Sequence, residues 1–86
     1  MTFEQFALGY LYQNGMFEED AKKVVELAKQ DEVLVDTMAG RWQDDLEGYP
    51  PLIKSLFVVS IDSVAVKYID DNQPLAWYRP VFAGGE

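Results

Sequence analysis

Phe3, Phe6, Ala7, Tyr10 and Leu11 recur at three- and four-residue spacing, the period that draws one apolar stripe along a helix. Thr2-Phe3-Glu4-Gln5 precedes the stripe with the spacing of a capping box, so the first helix is expected to start almost at Thr2. Asn14-Gly15 then supplies a left-handed stop. Gly9, inside this helix, costs about 1 kcal/mol relative to alanine, and a close helix crossing would account for it. A second stripe, Ala21, Val24, Val25 and Ala28, predicts a helix over about 17–29. Glu18, Glu19 and Asp20 at its start and Lys29 at its end match the helix macrodipole, so this charge run reads as a solvated helix start. Asp31 and Glu32 begin either a link or the first turn of another helix.

Met38, Trp42 and Leu46 stand at i, i+4 and i+8 and predict one face of a short third helix. On that helix Arg41 and Asp45 are four apart and positioned to pair. Gly48 ends it, Tyr49 is forced into extended backbone by the proline that follows, and Pro51 suits the first turn of the next helix. The segment after Pro51 is rich in β-branched residues, as a buried strand would be. Yet Ile53, Phe57, Ile61, Val64 and Tyr68 fit one helical face, with Leu52, Leu56, Val59 and Val66 near it, and strict alternation is nowhere sustained. A helix over about 51–71 is the expectation. It is apolar nearly all round, which makes it the central helix of a bundle or part of a subunit interface. Beyond it, Leu75 to Tyr78 has room for one helical turn before Pro80, and the terminal Ala-Gly-Gly-Glu is expected to fray. The fold class is thus all-α: a single domain over 1–86, a bundle of three to four main helices.

Composition narrows the chemistry. The 86 residues contain no cysteine and no histidine, which excludes disulfides, thiolate or imidazole zinc ligation, and cysteine or histidine catalysis. A small core without a covalent staple gains stability by self-association, so a homo-oligomer, most simply a dimer, is expected. Fifteen acidic residues against seven basic give a net charge of −8, the wrong sign for nucleic acid or an anionic membrane. Ser60, Asp62, Ser63 and Lys67 break the longest apolar run, so it is not a transmembrane span. With no secretory pattern either, the expected compartment is the cytoplasm.

Asp44, Asp45 and Glu47 are the densest carboxylates near an aromatic, but neighbouring side chains on one helix diverge, whereas hydrolytic pairs converge from separate elements. Asp36, Asp44, Asp45 and Glu47 lack the spacing of a calcium loop, and Gly84-Gly85 opens no helix that would hold a phosphate. No enzyme and no cofactor is therefore expected. Asp70-Asp71 is odd, because acids at a helix C-terminus oppose the macrodipole. Trp42, Tyr49, Trp77, Tyr78 and Phe82 fall in two proline-bounded segments beside Arg41 and Arg79, and Trp, Tyr and Arg dominate binding hot spots. Those seven residues, with Asp45 holding Arg41, form the candidate partner- or ligand-binding surface. The simpler account is that the two tryptophans close the ends of the core.

The stretches Phe3 to Phe17 (F-x-x-F-x-x-x-Y-x-x-x-x-G-M-F), Gly40 to Asp45 (G-R-W-x-D-D), Gly48 to Pro50 and Trp77 to Phe82 (W-Y-R-P-x-F) together resemble short proteins of tailed bacteriophages. The resemblance implies no catalytic residue. It implies action by binding, either inhibiting a host or defence protein or sequestering a small signalling nucleotide, in the host cytoplasm. A DNA mimic whose carboxylates stand in for phosphates, and a phage assembly accessory, are the alternatives.

Overall fold

The computed structural model describes residues 1–72. Its elements are α1 (Phe3–Gln13), α2 (Glu18–Ala28), α3 (Glu32–Met38), a short 3-10 turn (Leu46–Gly48) and α4 (Pro51–Asn72). The expected all-α bundle is what forms. The helical turn expected over Leu75 to Tyr78 and the frayed terminus lie outside the described residues, as do Trp77, Tyr78, Arg79 and Phe82 of the candidate surface.

Two of the helices, α1 and α3, begin where their capping side chains place them. The Thr2 hydroxyl accepts from the Gln5 N–H at 3.1 Å, and the Gln5 side chain accepts from the Thr2 N–H at 3.0 Å, closing the capping box. At the other end Gly15 takes φ 99°, which only glycine adopts without strain. Asp31 is the N-cap of α3, its carboxylate accepting from Val33 and Leu34 N–H, so it starts a helix instead of a link. Lys29 stands at the C-cap of α2 and reaches back to Glu4 on α1 at 2.9 Å. Gly9 makes no close crossing: a Cβ there would meet nothing within 4 Å.

The third helix departs from expectation. It stops at Met38, because Ala39 (φ 52°) and Gly40 (φ 74°) both turn left-handed. Met38, Trp42 and Leu46 are all buried, as their spacing suggested, but on a helix end, a turn and a 3-10 turn. Burial by a loop has mimicked the period of a helix. Arg41 and Asp45 therefore do not pair; Arg41 binds Asp44 instead, Nε to Oδ2 at 2.7 Å. Tyr49 is extended as expected, at φ −105° and ψ 142°.

Phe57 of α4 is the hub of the core. Phe3, Trp42 and Phe6 surround its ring at centroid distances of 5.1, 5.6 and 6.1 Å, the first two edge-on, the geometry ring quadrupoles favour. Ile61, Ala65 and Tyr68 continue this face, against Leu11, Val24, Val25 and Ala28 from the first two helices and Leu34 from the third. Two tyrosines fasten the bundle by hydroxyl-to-carboxylate bonds: Tyr10 of α1 to the buried Asp62 of α4, and Tyr68 of α4 to Asp20 of α2 at 2.8 Å. The other side of α4 is left outside. Leu52, Leu56 and Val59 do not flank the buried face; they are 68%, 49% and 41% exposed. Among the described residues, no helix is long and apolar enough to cross a membrane.

Candidate functional site

Two regions could meet a partner: the 41–49 loop singled out in the sequence, and a groove the sequence did not reveal.

The loop is stitched to the N-terminal segment by its backbone. Glu4 N–H donates to the Trp42 carbonyl at 3.1 Å, and Leu46 N–H donates to the Met1 carbonyl at 2.8 Å. Thr2 and Asp45 form an antiparallel bridge between them. Trp42, drawn inward by this clasp, keeps only 7% of its surface exposed and caps the core over Phe57. Asp45 accepts from the Glu47 N–H at 3.1 Å and lies 3.5 Å from the Met1 ammonium. The Glu47 N–H, helped by that ammonium, holds the Asp45 carboxyl below the usual aspartate range.

Arg41, Asp44 and Tyr49 form a closed set. The Asp44 carboxylate accepts from the Tyr49 hydroxyl at 2.9 Å as well as from Arg41, and the guanidinium lies 5.9 Å from the Tyr49 ring centroid. Tyr49 also packs edge-on against Phe3 at 4.7 Å. Desolvation, followed by the bond to Asp44, pushes the Tyr49 phenol above its ordinary pKa, so it stays protonated and donating. Of the predicted surface, the structure thus brings Arg41 and Tyr49 together, gives Asp45 to the N-terminal segment, and turns Trp42 into core. Asp44, which was not among the candidate surface residues, is the residue that organises the set. Among the described residues, no group of three or more acidic side chains is arranged to hold a metal ion.

The groove runs where the corner between α2 and α3 meets the C-terminal half of α4. Its volume is about 560 Å³, and Leu27, Val33, Ser63, Val64, Lys67 and Tyr68 line it, with Asp31 and Asp71 at its ends. A second depression of about 490 Å³ continues it past Lys22, Lys23 and Glu26, sharing Leu27, Gln30 and Tyr68. The groove lies where the first turn of α3 stands beside the last turns of α4. Leu27 and Val33 are 45% and 62% exposed beside it. Burial pushes the Tyr68 phenol up, and the bond to Asp20 adds to this, so its hydroxyl is committed to α2. The groove thus offers apolar walls and serine hydroxyls, one lysine and two carboxylates. Its signal in the sequence was Val33, an apolar residue next to Leu34 on a helix where neighbours point about 100° apart and only one of them faces the core.

Set against known protein families, curated proteins and solved structures, the chain finds no match.

Proposed function

We propose that the protein acts by binding another protein, as a small acidic inhibitor of the tailed-phage kind working on a host or defence protein in the bacterial cytoplasm. The observation that carries this reading is the open groove between the α2–α3 corner and α4, bordered by exposed Leu27 and Val33. A pocket of a few hundred Å³ with apolar walls suits the side chains of a partner. Its charges do not select a phosphate-bearing ligand, since Asp31, Asp71 and Glu26 balance Lys67, Lys22 and Lys23 along the groove and its continuation. The nucleotide-sequestering alternative rests on Arg41 beside Tyr49, but that guanidinium is already engaged by Asp44. Catalysis has no part in the reading, because Asp44 is held by Arg41 and Tyr49 while Asp45 caps the 3-10 turn.

The test is a comparison of captures from bacterial lysate by the wild-type chain and by a Leu27→Glu, Val33→Glu variant. Both sites are exposed, so the variant is expected to keep its helical circular dichroism and its melting midpoint. Loss of a specific captured protein by the variant supports the reading. Equal capture by both, or a cyclic-nucleotide-induced rise in melting midpoint without any capture, overturns it.

A further inference from the structure

The outward side of α4 repeats with a regularity the core does not require. Leu52, Leu56, Val59, Ser63 and Val66 are spaced four, three, four and three apart, and Asp70 follows after four more. This is the heptad spacing of a helix that packs lengthwise on another helix. Leu52, Leu56, Val59 and Ser63 are exposed, and Val66 is half-buried. From Leu52 to Val66 the strip carries no charge, although the chain as a whole is at −8. A partner of opposite charge would leave its mark there as acids; an uncharged strip is what a like-charged partner needs.

We propose that this strip is the interface of an antiparallel, two-fold dimer in which α4 packs against α4 of a second copy. The chain's own charges set the register. Asp70 sits near the C-terminus of α4, where its sign opposes the macrodipole, and the first turn of α4 contains no acid. An antiparallel pair with Leu56 against Val66 of the second copy, and Val59 against its Ser63, brings Asp70 to Leu52 of the second copy. The acid then lies at the positive end of the opposing helix, and by symmetry the arrangement occurs twice. Ser63 at the middle of the strip, flanked by Ser60, lets the two backbones approach closely. The occupant is thus a second copy because, in this register, the uncharged strip meets itself and each Asp70 meets the acid-free first turn of the opposing α4.

The 22 residues of α4 span about 33 Å, and a strip roughly 12 Å wide along them covers about 400 Å² per protomer. That is about half of a standard interface, so the dimer is expected to dissociate in the micromolar range. Raising salt should tighten it by screening the repulsion between two acidic chains. The dimer face and the groove meet at Ser63 and its neighbour Ser60, on α4, so Leu27→Glu, Val33→Glu should remain dimeric whatever becomes of target binding.

Sedimentation equilibrium from one to several hundred micromolar tests the proposal on the wild-type chain. A monomer–dimer equilibrium is expected, with Leu56→Asp weakening it at least tenfold while the helical circular dichroism is retained. A wild-type chain that stays monomeric throughout overturns the proposal. Register is read by mixing Leu52→Cys with Asp70→Cys under oxidation, since the natural chain has no cysteine. Antiparallel pairing gives the mixed disulfide dimer in preference to either self-linked one; preferential self-linking of each variant overturns the antiparallel arrangement.

Discussion

The α2 and α4 helices bury similar apolar faces but present opposite outer ones. The solvent side of α2 carries Glu19, Lys22, Lys23 and Glu26, with Lys22 paired to Glu18 at 3.1 Å, and its three leading acids complement its dipole. The solvent side of α4 carries Leu52, Leu56 and Val59, and its charges oppose its dipole. Water completes this side of α2, with Leu27 the one large apolar residue it exposes, at the groove. In the monomer α4 leaves Leu52, Leu56 and Val59 in water, and that difference is what the proposed dimer rests on. Apolarity by itself does not show this, since scattered exposed leucines are common; it is the unbroken spacing along one side that matters.

The sharpest way to break the comparison is to put the same charge on the two sides of α4. Ile61 is fully buried, and Ile61→Asp should abolish cooperative folding, because an isolated buried charge costs several kcal/mol. Leu56→Asp, on the outer side, should leave the monomer's melting midpoint within a few degrees of wild type. Thermal denaturation followed by circular dichroism reads both, and a soluble, cooperatively melting Ile61→Asp protein would contradict the buried assignment.

Next in size is the loop. Trp42→Ala removes the cap over Phe57 and should cost about 3–5 kcal/mol in urea denaturation. Tyr49→Ala should lower the melting midpoint by several degrees, since the ring packs on Phe3. Tyr49→Phe, losing only the bond to Asp44, should lower it less.

The smallest effect concerns the Lys29–Glu4 pair that ties α2 to α1. The hydrogen bond from Lys29 lowers the pKa of Glu4, a bond from Gln43 adds to this, and the bond to Glu4 raises that of Lys29. The stability Glu4 contributes is therefore complete above the ordinary glutamate value and lost as pH falls through its depressed one. The contribution of Lys29 is complete below the ordinary lysine value of 10.5 and lost as pH rises through its raised one. Lys29→Met should flatten both slopes, by no more than about 1 kcal/mol for a pair partly in water. Melting midpoints at acid, neutral and alkaline pH check this.

The helices of this bundle were legible wherever periodicity and capping agreed. The capping box at Thr2, the acids opening α2 and the proline opening α4 each put local chemistry and apolar spacing in the same place. They parted at residues 38–46. There Met38, Trp42 and Leu46 satisfy the helical period because the core needs three side chains from one direction, and a turn delivers them as well as a helix does. The break itself rests on Ala39 and Gly40, both left-handed: nothing in the identity of Ala39 announces it, whereas Gly40 is the stop signal the apolar spacing overrode. The candidate surface was only partly legible for a related reason. Composition marks Trp, Tyr and Arg as partner-binding residues, but the same residues serve as core caps and buried hydrogen-bond donors. Trp42 and Tyr49 are spent in that way. The uncharged strip on α4 was visible in the sequence as apolarity all round the helix; which side faced outward depended on where α1, α2 and α3 packed.

The clasp between the N-terminal segment and the loop has a consequence in the order of folding. The Thr2–Asp45 bridge closes a span of more than forty residues, whereas α1 and α2 are neighbours joined by a short turn. Closing the longer span is entropically dearer, so the α1–α2 hairpin can form first and the clasp only once α3 has brought residues 42–46 round. Run backwards, the same sequence makes the clasp the first tertiary contact to open. Its release would free the Glu4 and Leu46 amides to exchange with solvent and let Trp42 swing off Phe57. Trp42 is therefore placed to report the earliest step of unfolding, before the helices themselves are lost.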